Sequence, residues 1–312
     1  MATQMDWQKT PIYTLENEEL SVSLCPFFGN NLYRIWDKRA TREVLRVPET
    51  LEKLKDLPGQ YGTPLMMPPS RLRHGKFHFE GREYQFDINT PDGHHIHGFL
   101  RNHPWTFIEE KSNNTTLVST LHTAAFPEIM RQYPHPMTLE VTYVLRGSSL
   151  IHRIKAINHG ETAAPFGYGL HTWFMLDQGP EKWSLYLPVV DLWEPNYQLL
   201  PNRERIPLNE FSRLKNTLPL SGYKFDHVFR IGDNPIIAIL SKEGYEIRYS
   251  ASNHFLNWVI FTNGIVNDLI CLEPITWVPN APNLNLPAEL TGMRAIGPNQ
   301  SLELEVVMEL HR

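Results

Sequence analysis

Alternation of apolar and polar residues, repeated along most of the chain, most constrains its fold. In "YTLENEELSVSLCPF", Leu20, Val22 and Leu24 would lie on one face of a strand. "KFHFEGREYQFDI" alternates on both sides of Glu80-Gly81, which predicts a β-hairpin. Further strand patterns occur in "TLVSTLHTA", "TLEVTYVLRGSSLIHRIKAIN", "YEIRYSA", "NWVIFTN", "DLICLEP" and "SLELEVVMEL".

Helical patterns are few and short, near residues 48–57, 127–133 and 208–215. The alternation of strands and helices that is typical of a doubly wound fold is missing. Many strands separated by Gly, Asn and Pro clusters predict an all-β protein with a large antiparallel sandwich or barrel. Because no linker or fixed-period repeat interrupts the pattern, we expect a single domain over residues 1–312.

Composition limits the classes of function. The 312 residues are 41% hydrophobic and 20% charged, which is typical of a globular protein with a sizeable core. A net charge of −5 gives no reason to expect nucleic acid or an anionic membrane as a partner. Neither a signal-peptide pattern nor a run of about 18 apolar residues is present, so a cytoplasmic protein is expected. Only Cys25 and Cys271 are available, too few for a disulfide scaffold.

Residues 94 to 105, "HHIHGFLRNHPW", contain four histidines. His95 and His97 are two apart and would project from the same face of a strand, as in the metal-binding pairs of cupins. Such a site also needs a nearby carboxylate, which is missing here, and the charge of Arg101 would oppose a metal ion. Alternatively these are surface or capping histidines in a loop, an interpretation that suits His94 and His103 best.

Two further segments contain candidate acid–base groups. In "FGYGLHTWF", His171 lies among aromatic residues, where it could be a general acid or a core histidine bonded to a backbone carbonyl. In "DLICLEPITWVPNAPN", Glu273 follows an apolar strand, where a carboxylate is unfavourable unless it is paired or used in catalysis. Arg71 in "PPSRLRHGKF" and Asp226 in "GYKFDHVF" add charge. With no nucleophile or nucleotide-binding motif present, this set suits proton transfer on a neutral polar ligand such as a sugar.

Taken in order, five of these segments resemble the aldose 1-epimerase (galactose mutarotase-like) family. They are "SRLRHGKFHFEGREYQF", "HIHGFLRNHPW", "GYGLHTWF", "GYKFDHVF" and "LEPITWVPNAPN", between residues 70 and 283. The resemblance implies a β-supersandwich of large antiparallel sheets with a sugar site in a concave face. It implies no metal or organic cofactor, and we expect a monomer or homodimer.

The resemblance also implies roles for individual residues. Glu273 would be the general base that takes the proton of the C1 hydroxyl, and His171 the general acid that protonates the ring oxygen. Ring opening, rotation about C1–C2 and closure would then interconvert the anomers. His97, Arg71 and Asp226 would bind the remaining sugar oxygens.

The chain departs from the family pattern at both histidines. It has "HGFLR" and "LHTWF" where galactose mutarotases commonly have "H-G-G" and "G-H-P-Y-F". The first form looks more like that of the hexose-6-phosphate epimerases, in which an arginine at the place of Arg101 is associated with the phosphate. We expect an aldose 1-epimerase that acts on a free hexose, with a hexose 6-phosphate as the alternative substrate. A sugar-binding module without activity and a cupin-like metalloenzyme are the alternatives from other classes.

Overall fold

Two large antiparallel sheets contain most strands of the computed structural model, which describes residues 3–196, 198–232, 236–262 and 268–312. With strands numbered in chain order, the nine-stranded sheet consists of β11 (Thr106–Phe107), β12 (Thr116–His122), β13 (Met137–Arg146), β14 (Ser149–Asn158), β28 (Ser301–His311), β24 (Tyr245–Ala251), β23 (Ile237–Lys242), β18 (Ser184–Tyr186) and β21 (Leu218–Pro219). The eight-stranded sheet consists of β20 (Pro201–Ile206), β19 (Val189–Pro195), β22 (Asp226–Ile231), β25 (Asn257–Phe261), β26 (Leu269–Ile275), β16 (Gly169–Leu170) and β6 (Leu65–Met66), with β17 (Thr172–Met175) also paired to β26.

Smaller sheets and short helices complete the described residues. A five-stranded meander consists of β1 (Thr3–Trp7), β2 (Thr10–Glu16), β3 (Leu20–Cys25), β4 (Asn31–Asp37) and β5 (Arg42–Glu43). Three two-stranded sheets pair β7 (Arg71–Leu72) with β10 (His95–Ile96), β8 (Lys76–Phe79) with β9 (Arg82–Gln85), and β15 (Ala164–Pro165) with β27 (Ala295–Ile296). The helices are α1 (Leu51–Asp56), α2 (Pro127–Gln132) and α3 (Ala288–Thr291), and the 3₁₀ segments are Arg73–Gly75, Leu100–Asn102, Glu109–Lys111, Thr123–Ala125, Pro180–Lys182, Asn209–Asn216 and Ala281–Asn283. Within these residues no helix has the length and apolar character needed to cross a membrane.

The all-β prediction with large antiparallel sheets is confirmed, and its local signals are visible in the structure. The apolar set of β3, at residues 20, 22 and 24, is buried as the alternation predicts. In the β8–β9 hairpin both turn residues, Glu80 and Gly81, have positive φ, as the twist of a two-residue hairpin requires. The three predicted helical segments correspond to α1, α2 and the 3₁₀ segment Asn209–Asn216, whereas α3 was not anticipated.

The main core lies between the two large sheets. Tyr249 on β24 packs edge-on against Phe174 of β17 and Trp258 of β25, with ring centroids 5.4 and 5.6 Å apart. Strands of the nine-stranded sheet such as β13 alternate buried and partly exposed residues, but all seven residues of β26 are buried. A strand covered on both faces normally has only apolar side chains, so a polar side chain on β26 needs a partner or a function.

A buried carboxylate joins the N-terminal meander to the nine-stranded sheet. Asp37, at the end of β4, is fully buried and accepts hydrogen bonds from Tyr245 Oη on β24 (2.9 Å) and from Arg312 Nη2 (2.6 Å). Burial by itself would raise the pKa of Asp37. Hydrogen bonds from Arg312, the Ala40 N–H and Tyr245 outweigh it and hold the pKa below the usual aspartate value.

Arg312→Gln should therefore lower the free energy of unfolding at neutral pH by about 2–3 kcal/mol, because Asp37 stays buried without its cation. Asp37 has a lower pKa folded than unfolded, so its contribution is present at neutral pH and disappears as the pH falls below about 4. Urea denaturation at several pH values measures the difference between variant and wild type, which should shrink toward low pH.

Arg153→Gln is the matched control, because Arg153 pairs with Glu305 in an exposed ion pair. Such pairs are worth about 0–1 kcal/mol. Equal losses in the two variants, or a loss from Arg312→Gln that does not depend on pH, would contradict the role assigned to Asp37.

Candidate active site

An imidazole and a carboxylate face each other across two paired strands of the eight-stranded sheet. Glu273 lies on β26, and His171 lies between β16 and β17, which both pair with β26. Thr172 is opposite Leu272 in this antiparallel register, so His171 is directly opposite Glu273. Side chains opposite each other in this way project from the same face. His171 Nε2 is 3.3 Å from Glu273 Oε1.

The same face carries a row of side chains that extends away from this pair. Val259 on β25 is opposite Glu273, and Val228 on β22 is opposite Val259. Asp226, two residues before Val228, projects from the same face at the beginning of β22. The sheet thus supplies a floor with the acid–base pair at one end and a second carboxylate at the other.

A cavity of about 140 Å³ lies on this face. Its polar lining consists of Ser70, Arg71, His97, His171, Asp226 and Glu273. Its apolar lining consists of Ile96, Trp193, Pro195, Leu199, Pro201, Val228, Val259, Phe261 and Pro279. Convergent charged groups beside an aromatic wall suit a small ligand with hydroxyl groups and apolar C–H faces.

The pair β7–β10 brings two of the predicted residues over the sheet. Arg71 is opposite Ile96, and His97 follows directly. The backbone N–H of His97 donates to Ser70 O at 2.9 Å. The ring of His97 packs edge-on against that of His171, with centroids 4.9 Å apart and planes at 84°. Five of the six predicted site residues therefore line one cavity.

His95 and His97 do not share a face, contrary to the expectation from their spacing. His97 has a φ of +63°, so the strand alternation ends before it. The buried His95 ring instead donates from Nδ1 to Asp87 O at 2.6 Å and packs against Phe86. A metal site built on this pair of histidines is therefore ruled out by the geometry.

Of the two alternatives for His94, surface or capping, the structure supports the capping one. Its ring is fully buried, and Nδ1 accepts a hydrogen bond from the His74 backbone N–H at 3.1 Å. His103 caps the local chain, because its Nδ1 donates to Phe99 O at 2.7 Å and its Nε2 lies 3.1 Å from Glu128. These buried or partly buried imidazoles are stabilised by hydrogen bonds to backbone groups. Residue type alone does not indicate such partners.

Burial shifts the pKa values of the facing groups in opposite directions. It raises the pKa of Glu273 well above the usual glutamate value, and the charge of Asp226 raises it further. It lowers the pKa of His171 to about 3, with the charge of Arg101 as the second cause. The pKa of His97 is lowered for the same reason. The neutral forms of the acid–base pair are therefore favoured over the charged ones.

Two charged groups adjoin this pair, and one of them, Arg71, has unused hydrogen-bonding capacity among the described residues. Arg71 Nε is buried and has no hydrogen-bond partner among the described residues, and it lies 3.9 Å from Asp92 Oδ2. Partial burial raises the pKa of Asp226, while the nearby charges of Arg71 and His227 oppose the rise. Ligand hydroxyls could satisfy both groups.

Arg101 is the predicted site residue that is not among those lining the cavity. Its Nη2 donates to Ile96 O at 3.2 Å, and burial lowers its pKa to about 10. Its charge still acts on the site, since it is among the causes that lower the pKa values of His97 and His171. Arg101 therefore influences the imidazoles at a distance.

Three residues near the reacting groups were not predicted for the site. Ser70 and Trp193 line the cavity, with Trp193 Nε1 anchored to Asn257 Oδ1 at 2.9 Å. Cys271 places its Sγ 3.0 Å from His171 Nδ1. The sequence does contain a signal that could have placed Cys271 in the site. It is two residues before Glu273 and therefore projects from the same face of the strand.

His97, His171 and Glu273 each offer a ligand atom, and those atoms lie within 4.8 Å of one another. Two imidazoles and a carboxylate are a donor set that zinc accepts. The same groups can exchange protons with a bound sugar, so their proximity fits both chemistries.

The profile of the family described as "Aldose 1-epimerase" matches residues 11–309. The chain belongs to the aldose 1-epimerase family. An Escherichia coli (strain K12) relative, YihR, is 25% identical over 224 residues, which are 69% of each chain.

Solved structures show that this aldose 1-epimerase family member has the galactose mutarotase-like fold. A galactose mutarotase-like protein from Clostridium acetobutylicum superposes with a TM-score of 0.93 at 19% identity, covering 100% of this chain and 98% of the other. The galactose 1-epimerase from Lactobacillus acidophilus NCFM has a TM-score of 0.81 at 17% identity, covering 100% and 98%.

Gly98 positions His97 by allowing close backbone packing. It has a φ of +60°, and an added Cβ would overlap the carbonyl oxygen of Met67. The space beside Gly98 is therefore occupied by protein backbone. Gly98→Ala should lower the free energy of unfolding by more than about 2 kcal/mol, as measured by urea denaturation, because backbone must move.

Gly93→Ala provides the control, since Gly93 has a φ of +80° and nothing within 4 Å of an added Cβ. It should cost only the conformational strain of about 1–2 kcal/mol. If the two alanine variants lose the same stability, the Met67 contact does not constrain the segment.

Proposed function

We propose that this protein is an aldose 1-epimerase that interconverts the α and β anomers of a free hexose by acid–base ring opening and closure. The observation that carries the proposal is the 3.3 Å approach of His171 Nε2 to Glu273 Oε1 inside a cavity that Arg71 and Asp226 also line. Membership of the aldose 1-epimerase family supports the reaction type.

The reaction needs a base and an acid at the same time, and the pair can supply both from one shared proton. Transfer of that proton from Glu273 Oε1 to His171 Nε2 produces a carboxylate and an imidazolium. Hydroxyl groups of the bound sugar and the charge of Arg71 would stabilise the carboxylate, which burial by itself disfavours.

Ring opening then proceeds with balanced proton transfers. Glu273 takes the proton of the C1 hydroxyl, the C1–O5 bond breaks as the C1 carbonyl forms, and His171 gives its Nε2 proton to O5. Rotation about C1–C2 presents the opposite carbonyl face. In closure His171 takes the proton back from O5 while O5 attacks C1, and Glu273 returns its proton to the carbonyl oxygen. Each group acts as acid in one direction and as base in the other.

Arg71 and Asp226 would hold the remaining hydroxyl groups, since a guanidinium donates and a carboxylate accepts. His97 beside His171 would bond an oxygen near the reacting carbon. The buried Trp193 would pack against the apolar face of the sugar ring.

We further propose that residues 1–312 act as one domain, because β14 and β28, from the middle and end of the sequence, are paired neighbours.

A free hexose is favoured over a hexose 6-phosphate by the charges around the cavity. Asp226 and Glu273 are acidic, and Arg71 is the one lysine or arginine among the described residues lining it. Arg101 donates from Nη2 to Ile96 O and is not among the residues lining the cavity. A phosphate dianion in the cavity would thus contact Arg71 as its one lining cation, with the carboxylate of Asp226 opposing it, which favours a neutral ligand.

Wild-type protein should accelerate anomer exchange of glucose or galactose, followed by polarimetry or by NMR exchange between the anomeric protons. Glu273→Gln should lose about 10²–10⁴-fold of this activity because the amide cannot take the proton, while sugar binding persists. Activity on glucose 6-phosphate alone would contradict the free-hexose proposal. Sugar binding without turnover of any aldose would indicate a binding module. A stoichiometric metal ion in the purified protein would indicate a metalloenzyme.

The pH dependence of kcat/KM should report the proton shared by the pair. Because burial raises the pKa of Glu273, the pair should keep its shared proton at pH values where an exposed glutamate is ionised. The enzyme should therefore remain active at those pH values. Activity should fall when that proton is lost. The charge of Asp226 contributes to the rise, so Asp226→Asn should move this alkaline limb to lower pH. The uncatalysed rate is subtracted at each pH. If the alkaline decrease in kcat/KM then falls at the same pH in Asp226→Asn as in wild type, it does not report the proton of Glu273.

A further inference from the structure

We propose that Cys271 is a positioning residue whose Sγ accepts a hydrogen bond from His171 Nδ1–H, leaving Nε2 to exchange the proton with Glu273. The inference deepens the proposed function and rests on it for the chemistry of the pair. It assigns a role to a buried cysteine that the acid–base mechanism does not otherwise use.

The strand register places the thiol beside both reacting groups. Cys271 is on β26, two residues before Glu273 and opposite Trp173 of β17. His171, two residues before Trp173, is therefore its diagonal neighbour on the same face, within reach of a long side chain. The distance from Sγ to His171 Nδ1 is 3.0 Å, and Cys271 is fully buried.

The direction of the hydrogen bond follows from the other side of the imidazole ring. Nε2 is 3.3 Å from Glu273 Oε1, and burial favours the protonated carboxyl group. A protonated carboxyl donates its O–H, so Nε2 must present a lone pair. The single N–H of the neutral imidazole is then on Nδ1, and Cys271 Sγ is its hydrogen-bond partner among the described residues.

A neutral sulfur suits this position because it orients the ring without adding charge. Burial raises the pKa of Cys271 well above the usual thiol value, so the group stays uncharged. A carboxylate at this point would raise the pKa of His171 and keep the proton on the imidazole. The weak acceptor instead allows the proton to move between Oε1 and Nε2 in both directions of the reaction.

Three variants of the full chain test the proposal. Cys271→Ala removes the acceptor and should lower kcat for hexose anomerisation about tenfold with little change in KM, since an ordinary hydrogen bond contributes about that factor. Cys271→Ser keeps an acceptor and should stay within about threefold of wild type. Cys25→Ala is the matched control, because Cys25 is also free and fully buried but lies in a separate core cluster. It should leave kcat unchanged.

A second measurement, two-bond ¹H–¹⁵N correlation NMR of histidine-labelled protein, reads the tautomer directly. His171 should carry its proton on Nδ1 in wild type and in Cys271→Ser. In Cys271→Ala the ring should be a mixture of the Nδ1–H and Nε2–H tautomers. A wild-type proton on Nε2, or Cys271→Ala with wild-type kcat and tautomer, would overturn the role of Cys271. The NMR result does not depend on turnover. If wild type anomerises no aldose, the proposed function fails, and the tautomer measurement still tests the role of Cys271 separately.

Discussion

Burying a carboxylate on a strand that is covered on both faces is unfavourable unless groups within reach can share its proton or its charge. Glu273 is in that position, because β26 is central in the eight-stranded sheet and all its residues are buried. The arrangement around it follows from this constraint. His171 adjoins it from the position between β16 and β17, and Arg71 and His97 come from the β7–β10 pair and the residue after it. The nine-stranded sheet seals the opposite face through Tyr249 and its neighbours.

Backbone register, more than loop conformation, sets the distance between the two groups that would transfer protons. Antiparallel neighbours have Cβ atoms about 4.5–5.5 Å apart, which lets an imidazole and a carboxylate meet without long side-chain excursions. The same register places Val259 opposite Glu273 on the other neighbouring strand, while Cys271 adjoins it along β26 itself. The chemistry is thus built into the rigid part of the molecule, and most of the cavity lining also lies on strands of this sheet or on the β7–β10 pair.

Much of the fold was predictable because strand alternation is a local property. The apolar face of β3 and the β8–β9 turn could be recognised from a few residues each. The positive φ of His97 could not, since it depends on close packing against Met67 and Ser70, which are distant in sequence. For the same reason Trp193 was missed, as its place in the cavity depends on the pairing of β19 with β22. The burial of His94 could not be predicted, because its backbone partner at His74 is not visible in its own segment.

The pairing of β17 with β26 also determines how long the reactive arrangement lasts. The backbone positions of His171 and Glu273 stay opposite each other while the pairing of β16 and β17 with β26 remains intact. Separating these strands needs the slow, cooperative fluctuations of the core, and not the fast motions of a surface loop. In the folded protein the acid and the base can therefore part only by rotation of their side chains, and they start each turnover from neighbouring backbone positions.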